Sequence, residues 1–229
     1  DVDQFMLDEA LNFVRTDFIR ATIDTPVWQL NRQAFYLYVF ARGGAAGPTD
    51  LDMLFRQRLE MDYWARAYLL MAYHEIQPDS SAVADLSSDL QTAAIVSATG
   101  AHWEEDERDW WNWNSDTRTT AIVLAALTRT QPAYELLPNV VRWLMVARQG
   151  DHWETTQETA WAVMALTDWM VATGELKGNY DYSLIVNGDP LGAGQVTPDT
   201  VREGQVLKVA VADLLRDEIN RVTISRGEG

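Results

Sequence analysis

Two kinds of helix-period segment alternate along this chain. Residues 3–20 place Leu7, Leu11, Val14 and Phe18 on one face and Asp, Arg and Thr on the other, the pattern of a surface helix. Residues 30–41 differ, because the run from Ala34 to Ala41 has no polar face. Gly43, Gly44, Gly47 and Pro48 end that segment, and Thr49 or Asp50 can cap the next. Residues 50–59 are amphipathic through Leu51, Leu54 and Phe55, and residues 61–74 are again mostly apolar. A turn over Gln77, Pro78, Asp79 and Ser80 leads into a helix expected over 81–98. Residues 115–129 are apolar through Ala121–Leu127, and 135–148 carry Leu137, Val140, Val141 and Leu144 at spacings of three and four. Residues 155–171 close the series with a helix that reads as apolar on every side.

The alternation repeats in sequence as well as in pattern. Residues 117–128 laid over 156–167, a shift of thirty-nine, match at Thr117, Thr120, Ala121, Ala126, Leu127 and Thr128. An all-apolar helix must be surrounded, whereas an amphipathic one needs a single covered face. A repeat built from one of each predicts stacked helix pairs, with the apolar helices inside. The expected fold is therefore mainly α, an incomplete α/α toroid of about four helix pairs over residues 1–176, with about one or two further pairs upstream.

After Gly174 the period changes. Residues 182–186 alternate, Asn187-Gly188 is a hairpin signal, and 207–211 and 221–225 read as further strands. Residues 180–229 are too short to cover both faces of a sheet and read as a small β-sandwich fragment.

Composition narrows the function. The formal charge is −16, from 34 acidic and 18 basic residues, which disfavours nucleic-acid partners that bind through neutralised phosphates. No run approaches the ~18 apolar residues of a membrane span. With Cys absent, thiol nucleophiles, disulfides and Cys-based zinc sites are excluded from this stretch. The opening Asp1-Val2 reads as a piece of a longer protein. His74, His102 and His152 stand more than twenty residues apart, in no metal-ligand spacing, so no metal and no cofactor is expected. No Gly-x-Ser-x-Gly or Gly-rich phosphate loop occurs, and no catalytic residue is assigned.

Two segments carry candidate side chains. In Trp153-Glu-Thr-Thr-Gln-Glu158, Thr155 and Glu158 have the spacing of a capping box, and Trp153 reads as a plug between helix pairs, with Gln157 and Trp161 in the same motif. The run from Trp103 to Asp116 interleaves carboxylates with Trp110, Trp111 and Trp113. Such a run can be a glycan cleft, with rings on sugar faces and an acid pair at the glycosidic bond. It can equally be a solvated acidic turn whose rings pack on helix ends. Trp110, Trp111, Trp113 and Asp116 are the cleft candidates.

The stretch from Asn114 to Leu127, then Val141-Arg-Trp-Leu-Met-Val-Ala-Arg148, then Trp153-Glu-Thr-Thr-Gln-Glu-Thr-Ala-Trp161 resembles the thioester-containing, complement-like domain of bacterial α2-macroglobulins. Tyr182-Ser-Leu-Ile-Val-Asn-Gly188 is similar to the strand opening the macroglobulin-like β-domain that follows. The resemblance implies an α/α toroid in a secreted or cell-envelope protease trap, periplasmic or surface-bound, with lipid anchoring through a missing N-terminus as one arrangement. It implies target proteases as partners through the full-length parent, and contacts with other domains of the same polypeptide. In that family bait cleavage exposes a Cys–Gln thioester, and a hinge at Tyr180 would pass the change into the β-domain. Without Cys the thioester is not in this chain, which the resemblance makes a non-enzymatic scaffold. The second resemblance is to α/α-toroid enzymes: terpene cyclases share Trp turns but need an Asp-rich motif absent here, and a carbohydrate-active enzyme would rest on the Trp–acid run.

Overall fold

The computed structural model describes residues 3–201, 203–204, 206–216 and 218–227. Residues 1–2, within the expected arc, and 202, 205, 217 and 228–229, within the expected β-segment, lie outside the described residues. The chain falls into two compact units, Asp1–Trp169 and Met170–Gly229.

The first unit is helical. Its elements are α1 (Gln4–Asp17), α2 (Val27–Arg42), α3 (Pro48–Phe55), α4 (Tyr63–Ile76), α5 (Ser81–Thr92), a hairpin of β1 (Ile95–Ser97) and β2 (Gly100–His102), α6 (Asp116–Thr130) and α7 (Leu137–Ala147). Helix α8 (Thr156–Thr173) begins in this unit. The alternation anticipated from the sequence is seen in the packing. Helix α4 packs between α2 and α6, while α3 covers α2 and α4, α5 covers α4 and α6, and α7 covers α6.

Burial follows the apolar runs. In α4, Tyr68 to Tyr73 are buried without interruption, and in α6 the same holds from Arg118 to Thr128. An uninterrupted buried run requires neighbours around the whole helix, which among the described residues only these two have. The last apolar helix departs from expectation. In α8 only Glu158, Ala162, Ala165 and Trp169 are buried, and Val163, Met164 and Val171 are 50%, 52% and 67% exposed. Within the described residues nothing covers that face.

The helix expected over 81–98 is shorter. It ends at Thr92, and Ile95–Ser97 pairs antiparallel with Gly100–His102. Ile95 and Val96 are β-branched and favour extended backbone. Gly100 sits at φ +138, where a Cβ would lie 2.8 Å from the backbone nitrogen of Trp143, so only glycine lets β2 lie this close to α7. The helix expected over 50–59 stops at Phe55 and gives way to a single 3₁₀ turn, Arg58–Glu60.

The second unit holds an antiparallel sheet ordered β4–β3–β5, with β3 at Tyr180–Val186, β4 at Asp189–Val196 and β5 at Val222–Arg226. Asn187 and Gly188 both take positive φ, the requirement of a type I′ turn. One expectation needs correction. Residues 207–211 are not a strand. Val211–Asp213 is a 3₁₀ turn, and the Leu207 side chain instead packs over Gly192 on β4. Strand β4 is the partner that the Asn187-Gly188 hairpin signal implies, although Pro190, Gly192 and Gly194 weaken its own strand pattern; at an edge, with Pro190 beside the turn, they are tolerated. Among the described residues this is one three-stranded antiparallel sheet, the small β part expected to follow the helices. A hollow of about 570 Å³, lined by Leu184, Val186, Leu207, Val209 and Val222, lies on its apolar face.

Candidate functional site

Each of two turns is fastened by the same pair of side chains. The Trp103 backbone N–H donates to Thr120 Oγ1 (3.1 Å) and its indole N–H to the Leu90 carbonyl at the end of α5 (2.8 Å). Trp153 repeats this with Thr159 (3.0 Å) and the Leu144 carbonyl on α7 (2.9 Å). Both indoles are buried, at 0% and 3% exposure, so each plugs the space between an inner helix and the outer helix before it. Thr120 and Thr159 are equivalent positions of the repeat. Seventeen residues separate Trp103 from Thr120 but only six separate Trp153 from Thr159, a difference of eleven. Those eleven extra residues are the Trp–acid run.

The insertion lies across the N-terminal ends of the inner helices. Glu105 accepts from the backbone N–H groups of Tyr63 (3.1 Å) and Trp64 (3.2 Å) in the first turn of α4, and from Thr119 Oγ1 (2.8 Å) on α6. Asp116 Oδ1 accepts from the Glu105 N–H. Asp62 accepts from the Trp64 indole (3.0 Å) and Asn114 Nδ2 (3.2 Å), and its own N–H donates to Asn31 on α2. Asp109 accepts from the backbone N–H groups of Trp111 and Asn112, and Asn112 Nδ2 reaches the Trp28 carbonyl on α2. Burial raises Glu105 to about 7, helped by the Asp62 carboxylate and opposed by its three donors. Burial likewise lifts Asp62 above the usual carboxylate range.

The Thr-Thr-Gln-Glu segment forms a reciprocal cap on α8. The Thr155 N–H donates to Glu158 Oε2 (2.9 Å), and the Glu158 N–H donates to Thr155 Oγ1 (3.1 Å). Ser115, the N-cap of α6, adds a bond to Glu158 Oε1 at 2.5 Å, tying the starts of adjacent inner helices. Glu158→Ala removes the two bonds to the carboxylate from a buried position, while the backbone bond to Thr155 stays, and is expected to cost about 1–2 kcal/mol, measured as a fall in urea midpoint at unchanged m-value.

The structure divides the cleft candidates between two depressions. Trp110, 67% exposed, lines an acidic hollow of about 610 Å³ with Asp62, Glu105 and Asp109. Trp113 lines a second cleft of about 330 Å³, and Trp111 lines both. Asp116 is exposed and lines neither. Gln157 and Trp161 reach the second cleft, where Trp161 meets Tyr68 edge-on at 5.4 Å. Trp153, Thr155 and Glu158 belong to the scaffold beneath.

The sequence reading missed Arg32, Trp64, Tyr68 and Arg118, which form the floor and rim of that second cleft. A signal was present: Arg118 and Arg32 are the charged residues just before the two apolar runs, where an inner helix would otherwise bury only neutral groups. Among the described residues no cluster of acids and histidines could hold a metal ion. His102 is buried, stacked on Trp143 at 4.6 Å and paired with Glu104, and His152 is exposed beside Asp151.

No protein-family profile and no curated sequence matches the chain. The fold defined above, an arc of helix pairs with a small antiparallel sheet after it in the chain, does have counterparts among solved structures. Over 88% of its length the chain is similar to Salmonella α2-macroglobulin reacted with methylamine, with TM-score 0.58 and 17% identity. Escherichia coli α2-macroglobulin in its native conformation matches over 88% with TM-score 0.57 and 17% identity, and the form activated by porcine elastase over 88% with 0.52 and 16%. The chain spans 13%, 13% and 18% of those proteins. The resemblance read from residues 114–166 and 182–188 is thus met at the level of the fold: the chain is built as the corresponding part of a bacterial α2-macroglobulin is built. No helix among the described residues is long and apolar enough to cross a membrane.

Proposed function

We propose that this chain is part of a bacterial α2-macroglobulin-like protease trap, with residues 1–176 as the scaffold of its thioester-type domain and 180–229 as the start of a macroglobulin-like β-domain. The observation that carries this is the shared fold over 88% of the chain with structures of such proteins, one activated by a protease and one reacted with methylamine. On this reading the chain is not itself an enzyme, and its partners are proteases engaged through the whole protein, outside the cytoplasm or in the cell envelope. The disposition of the acids supports the scaffold role. Glu105, Asp62 and Asp109 accept hydrogen bonds from backbone and indole N–H groups, which commits them to holding the turn on the helix ends.

A thioester needs a Cys, and this chain has none, so the reactive bond would be supplied from elsewhere in the protein. The test is to incubate the whole protein with trypsin, with and without methylamine pretreatment, and run a denaturing gel. A covalent adduct abolished by methylamine is the expected result. Discrete cleavage without an adduct would leave a trap lacking a thioester, and the absence of any discrete cleavage would overturn the trap.

A further inference from the structure

The second cleft contains a buried guanidinium that forms no ion pair with any of the described residues. Arg118 is 7% exposed, and its guanidinium lies 4.6 Å over the Trp64 ring. Its Nε has no hydrogen-bond partner, and Nη1 makes one long bond of 3.4 Å to the Asn112 carbonyl. Beside it the fully buried Tyr68 hydroxyl faces the same guanidinium and, among the described residues, makes no other hydrogen bond. At the rim Arg32 donates to Asn112 Oδ1 (3.2 Å) and the Trp111 carbonyl (2.9 Å) and lies over the Trp28 ring. Among the described residues neither arginine forms an ion pair, in a protein with 34 acidic residues. Burying a guanidinium without a counter-charge is costly, and buried polar atoms are ordinarily satisfied.

The walls say what else the occupant carries. Trp64, Trp111, Trp113, Trp161, Phe35 and Tyr36 make them aromatic, and 330 Å³ suits one group about the size of an aromatic amino acid. Trp113 holds φ +54, an unfavourable backbone for a bulky residue, and that conformation places it in the wall. We propose that this cleft binds a carboxylate carried on an aromatic or branched apolar body, with Arg118 as its planar partner, Arg32 as a second cation and the Trp rings stacked on the body. A carboxylate matches the fork of a guanidinium, and Tyr68 can donate to the same group. The inference is independent of the protease-trap reading.

The probe is N-acetyl-phenylalanine, titrated into the full chain by calorimetry beside its uncharged amide. N-acetyl-glutamate amide and phenyl phosphate serve as further arms. The acid is expected to bind about tenfold or more tighter than the amide, the usual worth of a charge-assisted hydrogen bond. N-acetyl-phenylalanine is expected to bind tighter than the glutamate probe, which carries a carboxylate without an aromatic body; the reverse order would overturn the apolar-body assignment. Arg32→Gln, at the half-buried rim, should weaken the acid severalfold more than it weakens the amide. Arg118→Gln should abolish the advantage, provided circular dichroism shows it folded; Arg32→Gln decides the matter if it is not. Equal binding of acid and amide, no binding by either, or an advantage that survives both substitutions would overturn the proposal. Phenyl phosphate binding tighter than either acid would overturn the carboxylate assignment.

Discussion

Trp103→Ala is expected to lower the stability of the helical unit by about 3–5 kcal/mol, the range for truncating a buried indole. Trp103 is fully buried, and the substitution also strands the Leu90 carbonyl that its indole N–H satisfies. In a unit of this size that corresponds to a fall in melting temperature on the order of 10 °C. Trp103→Phe keeps most of the packing and loses the hydrogen bond, so it should cost about 1–2 kcal/mol. Trp153→Ala should cost less than Trp103→Ala, because α8 is covered on one face only and can relax into the gap. Thermal unfolding followed at 222 nm ranks the three. If Trp103→Ala melted within a degree or two of the unsubstituted chain, the plug between helix pairs would not be what holds the arc together.

Glu105 should make stability depend on pH in the sense opposite to most carboxylates. Its folded pKa, about 7, lies above the unfolded 4.5, so between those values the folded chain holds a proton that the unfolded chain has released. Stability contributed by the protonated carboxyl is fully present below 4.5 and is lost as pH rises to about 7, amounting to roughly 3 kcal/mol over that window. Asp62, also raised by burial, acts in the same direction. Glu105→Gln keeps a carbonyl for the first turn of α4 and cannot ionise, so its curve should lack this component. The informative quantity is the difference in unfolding free energy between the two proteins from pH 5 to 8. A difference constant across that range would mean the Glu105 carboxyl titrates as an ordinary exposed one.

These features were legible to different degrees, for physical reasons. The alternation of enclosed and surface helices could be read because α4 and α6 have no polar side to expose, and periodicity reports that directly. The α8 cap could be read because its partners are three residues apart, Thr155 and Glu158. The Asn187-Gly188 turn announces itself through the positive φ it requires. Helix α8 misled because its composition matches an enclosed helix, while exposure is set by neighbours that composition does not contain. The β1–β2 hairpin escaped because three-residue strands carry too little pattern to compete with the helix before them. The second cleft was hidden most completely. Arg32 and Asn112 lie eighty positions apart, and their meeting is a property of the stacked repeats and of no local motif.

The paired Trp–Thr fastenings separate what the turn carries from what holds the arc. Closing a loop of seventeen residues in place of six costs about 1 kcal/mol in chain entropy, small beside the burial of one indole. The turn between those two anchors is therefore an interchangeable cassette. Its length and chemistry can be exchanged for another without redesigning the helices, provided the newcomer brings an acceptor for the exposed N–H groups of Tyr63 and Trp64. That makes the stretch from Glu104 to Asn114 the place to graft a new recognition loop, and the shorter turn after Trp153 the natural donor of a minimal one.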